Sequence, residues 1–261
     1  MLARCSIDQR TVVTETELLL AALFFVVAVI YSSVGHAGAS GYIASMALLG
    51  FAPEQMRPTA LALNLLVGGI GLYRFWRGGH VRWRNVLPFV LASAPAAFFA
   101  AQVKLPKETY SLLLGAILLV AAIGVFRHAV RAEREDALAI GRKVPWLAGL
   151  VVGATIGVLS GLTGTGGAIF LTPLLLFAHW MPTREASGTS VAFVWINSLT
   201  GLAGLLHASG TLPQALPAWL GVVAVGALLG TQFGLKWLPV RGLRRALGVV
   251  LLIAAGKLLF A

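Results

Sequence analysis

Between positions 18 and 260 the chain is a succession of apolar blocks long enough to cross a lipid bilayer, separated by short polar breaks. A hydrocarbon core about 30 Å thick takes roughly 20 apolar residues as a helix. Inside it, every backbone N–H and C=O must find a partner within the protein. These requirements leave few folds. The blocks lack the alternation of transmembrane barrel strands, so the expected fold is an all-α polytopic membrane protein. Composition agrees: 58% of the residues are hydrophobic and 11% are charged, whereas soluble domains carry about 25% charged residues. The formal charge of +11 would suggest nucleic acid in a soluble protein. Here the basic residues sit mainly in connections, as Arg74, Arg77, Arg82 and Arg84 do. That placement orients membrane helices; the partner it implies is the lipid bilayer, with no nucleic acid.

Eight hydrophobic blocks are visible, four in each half: 18–51, 59–76, 86–103 and 110–126, then 146–177, 187–206, 216–233 and 243–260. The halves match in detail. Gly35, Gly38 and Gly41 lie 126 positions before Gly161, Gly164 and Gly167, and Leu105, Pro106 and Gly115 lie 133 positions before Leu238, Pro239 and Gly248. The expected organisation is an N-terminal tail (1–17), a first membrane repeat (18–127), a charged linker (128–144) and a second membrane repeat (145–261). Duplicated membrane halves are common in secondary transporters, which hold substrate between the repeats.

The first block of each half is too long for one crossing. As a single helix, the 34 residues of 18–51 would run to about 51 Å. The glycine clusters "GHAGASGYIA" and "GLTGTGGAIF" mark the expected breaks. Eight crossings would divide the 20 Lys and Arg residues 12 to 8 between the faces, and ten would divide them 14 to 6. Eight to ten transmembrane helices are therefore expected. The charge bias favours ten, with inverted repeats, basic loops in the cytoplasm and both termini opposite.

A helix broken inside a membrane exposes N–H groups that, with the helix dipole, attract anions. Glycine permits the backbone angles and keeps side chains out of the way. One half of a substrate site is thus expected at Gly161, Thr163, Gly164, Thr165, Gly166 and Gly167, and the other at Gly35, His36, Gly38, Ser40 and Gly41. The threonine and serine hydroxyls are expected to donate to the anion. Small residues also let membrane helices approach closely, which is the competing use of either cluster alone. Thr189 and Ser190 are candidates to line the pathway, and Asn64 and Asn197 either line it or tie helices together. His36 is a donor or a packing residue. Arg57 and Arg184 either steer anions into a vestibule or, the more common use, anchor the membrane edge.

Enzyme chemistry finds no support. "GTGG" lacks the strand–turn–helix setting of a dinucleotide fingerprint, the serines have no identifiable base, and the histidines lack close metal-ligand spacing. No cofactor, metal or catalytic residue is expected.

From about position 18 to 260 the chain resembles the sulfite exporter TauE/SafE family of membrane permeases, chiefly through "GHAGASGYIASMALLGF", "LSGLTGTGGAIFLTPLLLF", "RPTALALN" and "REASGTSVAF". The resemblance implies a bacterial inner-membrane transporter of small sulfur-containing anions such as sulfite and organosulfonates, working as an exporter. It also implies pathway roles for Gly38, Gly41, Gly164, Gly166 and Gly167. A passive channel, a permease for another ion or organic acid, and a membrane assembly subunit stay open, as do proton or ion coupling and self-association.

Overall fold

A computed structural model describes residues 9–34, 37–135, 144–208, 211–233 and 240–260. Ten helices lie within these segments: α1 (Gln9–Val34), α2 (Ala39–Leu48), α3 (Pro53–Arg77), α4 (Trp83–Ala101), α5 (Lys107–Glu135), α6 (Trp146–Thr163), α7 (Ala168–Phe177), α8 (Thr183–His207), α9 (Leu216–Phe233) and α10 (Val240–Phe260). Six of them contain a stretch long and apolar enough to span a bilayer. The protein is therefore an all-α polytopic membrane protein. The long first block of each half is broken as the glycines predict, into α1 and α2 and into α6 and α7. α5 continues to Glu135, well into the segment expected as a linker, because "AVRAERE" is rich in the helix formers Ala, Arg and Glu.

Polarity is arranged for lipid. Leu147 and Phe99 are 75% and 68% exposed, whereas Asn64 and Asn197 are 1% and 0% exposed. Trp76 and Trp83 are exposed beside Arg77, Arg82 and Arg84 at one end of the bundle, where an interfacial aromatic belt would sit. At the same end Arg82 pairs with Glu185 at 3.0 Å, so Glu185 reaches across to the start of α4 and not to its neighbour Arg184.

Glycine stripes set the packing. On α6, Gly149, Gly153, Gly157 and Gly161 recur every fourth residue and face Pro88, Phe89, Ser93 and Ala97 of α4 in ascending order. The two helices therefore run parallel with their backbones in close approach. On α9, Gly226 and Gly230 face Phe25 and Val29 of α1, again in parallel. α3 and α8 cross antiparallel, with Gly201 against Leu61, Asn64 against Ser198, Gly68 against Val194 and Gly71 against Val191. α2 folds back along α1: Tyr42 packs on Phe24 at 5.3 Å between ring centroids. Its last carbonyls, Ala47 and Leu48, accept 3.0 and 2.7 Å hydrogen bonds from Lys257 of α10. α7 folds back toward the other end, which brings Trp180 to 6.1 Å from Phe89 near the start of α4.

Candidate substrate site at the helix breaks

The second break is held open by backbone geometry. Gly164, Gly166 and Gly167 have φ of 80, 74 and 87°, a left-handed region that costs other residues roughly 1–2 kcal/mol each. At the first break Gly38 has φ of 100°. The two breaks meet. Ala37 beside the first, Ala168 at the start of α7 and Val194 of α8 form one buried cluster. A Cβ on Gly68 would touch Ala37, Val194 and Trp195, so the middle of α3 lies against the same point. A Cβ on Gly166 would come within 2.5 Å of Asn64 Nδ2 and 3.1 Å of Ser198 Oγ.

α2 and α7 thus begin at a common centre, approached from opposite ends of the bundle. Their N-cap residues, Gly38 and Gly167, supply no side-chain cap. Each N-terminus keeps unsatisfied N–H groups and the positive end of its dipole. Around this centre lie polar atoms without partners. Asn64 Nδ2 donates to Ser198 Oγ at 3.3 Å, but Asn64 Oδ1 and both amide atoms of Asn197 have no partner among the described residues. The hydroxyl of Ser160, beside Gly167, is unpartnered among the described residues too. Burying such a group unmet costs about 1–3 kcal/mol, so a fold keeps it only where something else meets it.

The other expected site residues divide. Thr189 and Ser190 are buried in α8, about two turns from Asn197 toward the arginine-rich end. Gly41 packs on Val27 and Tyr31 of α1, and Gly161 on Ala97 of α4; both let helices approach. Ser40 shares a 2.5 Å hydrogen bond with Tyr31. Thr163 Oγ1 donates to Leu159 O at 2.6 Å, so in its 3.0 Å contact with Thr165 Oγ1 the hydrogen comes from Thr165. Both threonine hydrogens are engaged within the protein, which differs from the expectation that they reach an anion. They brace the break instead. Gly35 and His36 lie outside the described residues.

Two further residues stand at the site: Arg57, in another role than the sequence suggested, and Tyr110, which the sequence reading did not single out. Arg57 lies inside α3, not ahead of it as a membrane-edge anchor, and is 7% exposed. Its NH2 donates to Ala101 O at 2.7 Å and Gly161 O at 2.8 Å, and its NH1 to Val103 O at 3.2 Å. Tyr110 of α5 donates to Thr163 O at 3.1 Å. A signal for Arg57 was present: an arginine followed by seven residues without charge, "PTALALN", sits poorly in a water-exposed loop.

Two cavities open on the arginine-rich side. One, of about 740 Å³, lies between α3 and α9 and is lined by Gly69, Tyr73, Arg74, Thr231 and Gln232 among others. The second, of about 390 Å³, is bounded by Gly69, Tyr73, Trp76, Trp83 and Trp195. Both reach Gly69, whose Cβ would stand 3.3 Å from Trp195 Nε1, next to the meeting point of the breaks.

Residues 20–258 match the family model described as Sulfite exporter TauE/SafE. The chain is 43% identical over 241 residues to "Probable membrane transporter protein y4hK" of Sinorhizobium fredii, covering 92% of this chain and 97% of that one. It is 24% identical over 249 residues to "Probable membrane transporter protein YdhB" of Bacillus subtilis, covering 93% and 100%. No solved structure matches significantly. The family resemblance read from the glycine clusters is thereby confirmed, and with it transport in place of enzymatic function and a multi-pass place in a bacterial inner membrane. This chain belongs to the sulfite exporter TauE/SafE family of membrane transporters.

Proposed function

We propose that the protein is a secondary transporter that exports small sulfur oxyanions, sulfite or organosulfonates, by alternating access between two inverted repeats (18–127 and 145–261, joined by 128–144). The observation that carries this reading is the meeting of two helix N-termini beside unpartnered asparagine amides. N–H groups and a carboxamide offer an oxyanion donors without a full charge, which lets it bind and leave. The donors we assign are the backbone at Gly166 and Gly167, the Asn197 amide and the Ser160 hydroxyl.

The repeat arrangement has its own support. Asn64, Leu66, Gly68, Gly71 and Leu72 stand 133 positions before Asn197, Leu199, Gly201, Gly204 and Leu205. Asn64 touches Ser198, the neighbour of its own equivalent, as happens where a two-fold axis passes. The packing pairs follow the same symmetry: α4 with α6 mirrors α9 with α1. In that scheme each half makes five crossings, with α2 and α7 as short ones. Access also differs between the two ends. The larger cavity has Arg74 in its wall, while Arg57 ties α3 to the ends of α4 and α6 on the other side.

The direct test is flux into proteoliposomes, with sulfite, sulfoacetate, sulfate and acetate compared under imposed proton and voltage gradients. Saturable flux of the sulfur anions, accelerated by countersubstrate, is expected. Currents beyond carrier turnover without countertransport would make it a channel, and no flux of any anion by folded protein would overturn the reading. Asn197→Leu adds a second check. Removing an unpartnered buried amide should leave the melting temperature unchanged or raise it, while affinity for the transported anion falls about tenfold, the value of one hydrogen bond to a charged group. A stability loss with unchanged affinity would make Asn197 a helix tie.

A further inference from the structure

Breaking a helix at the centre of a membrane creates two ends of opposite sign. The N-terminus of α7 brings roughly half a positive charge, and the C-terminus of α6 brings roughly half a negative charge a few residues away. Left alone, these would largely cancel, and the break would have little preference for an anion. In this chain three carbonyls of the last turn of α6 are taken up. Ser160 O accepts from Gly164 N–H at 2.7 Å, Gly161 O from Arg57 at 2.8 Å and Thr163 O from Tyr110 at 3.1 Å.

Arg57 contributes more than a hydrogen bond. It is a full positive charge, buried, and it also holds Ala101 O and Val103 O at the end of α4. Among the described residues the one ion pair is Arg82 with Glu185; the Arg57 guanidinium bonds helix C-termini, and Glu54, in the first turn of α3, acts on it through space without pairing. It is also close to the break: a Cβ on Gly164 would lie 2.9 Å from Arg57 Cα. The arrangement is one-sided. At the 133-residue offset Ser190 stands where the first repeat has Arg57, and the nearby Arg184 is exposed at the start of α8.

We propose that Arg57 is the specificity-determining residue of the anion site, acting without touching the substrate. By neutralising the C-terminal ends of α4 and α6 it leaves the N-terminus of α7 as the uncompensated end. The second break thereby becomes the one that holds the anion and prefers it to a neutral molecule of the same shape. This inference rests on the anion-transport reading above.

The test compares wild type, Arg57→Met and Arg57→Lys. Calorimetry on purified protein gives affinities for sulfite, methanesulfonate and the uncharged methanesulfonamide, and proteoliposome flux gives KM and kcat for sulfite. Arg57→Met should bind both anions about tenfold more weakly, as expected for a unit charge removed from roughly 10 Å away at an effective dielectric near 20. KM should rise with kcat changed far less, and the preference for methanesulfonate over methanesulfonamide should shrink by the same factor. Lysine cannot fork to three carbonyls and should lower the melting temperature, yet it keeps the charge and should restore most of the affinity. That comparison stands even if Arg57→Met does not fold. Unchanged anion affinity in Arg57→Met, or a folded Arg57→Lys that loses affinity as far as methionine does or by tenfold, overturns the proposal and leaves a structural clamp. A folded wild type that binds neither anion overturns the anion reading itself.

Discussion

Gly166→Ala is expected to insert and purify like the wild type but to transport its anion with an affinity lowered about 10- to 100-fold. The fold should survive because the cost is local. An alanine at φ of 74° loses roughly 1–2 kcal/mol, and its methyl group meets a side-chain end and not a backbone. What it meets is the Asn64 amide, at 2.5 Å. The amide must move, its bond to Ser198 breaks, and the methyl group takes space beside the N-terminus of α7. Hydrogen bonds to a charged group are worth about 1.5–3 kcal/mol each, which sets the size of the loss. Affinity from flux kinetics and a melting curve on the same preparation check it. Wild-type affinity in folded Gly166→Ala would remove this break from the substrate site.

Gly157→Leu should fail at an earlier stage. Its Cβ would stand 2.5 Å from Ser93 O and 2.7 Å from Ser93 Cα, and backbone cannot swing aside as a side chain can. The helices would have to separate along a stripe that runs from Gly149 to Gly161, losing contact over most of the α4–α6 interface. Overpacking alone costs about 1–3 kcal/mol, and the lost helix contact adds to it. We expect little monodisperse protein after extraction, and a melting temperature many degrees lower in what remains. Gly221→Leu is the control, since a Cβ on that exposed residue of α9 meets nothing within 4 Å; it should behave as wild type. Equal stability of the two variants would mean that α4 and α6 do not pack on this stripe.

Much of this arrangement was written locally and could be read in order. Block length and apolarity require membrane-spanning helices, and an over-long block containing glycines requires a break, so α1–α2 and α6–α7 were legible. The family was legible for the same reason: its motifs are the breaks themselves. Asn64 and Asn197 were harder to place, because a buried amide serves equally to line a pathway or to tie helices; only the crossing of α3 and α8 sets Asn64 against Ser198, the neighbour of Asn197.

The roles of individual polar residues were not local properties. Gly161 and Gly164 look alike in sequence, yet one lets α6 lie on α4 and the other turns the chain at φ of 80°. Thr163 and Thr165 carry hydroxyls fit for an anion, and the fold engages both hydrogens within the break. Arg57 reads as an anchor until the ends of α4 and α6, 44 and 104 residues away, are placed around its guanidinium. By itself the sequence determined the medium, the helices, their breaks and the family, because bilayer thickness and backbone hydrogen bonding act on each segment alone. Only the tertiary structure decided which polar groups are left without partners, because a side chain's hydrogen bonds depend on what the rest of the chain brings to it.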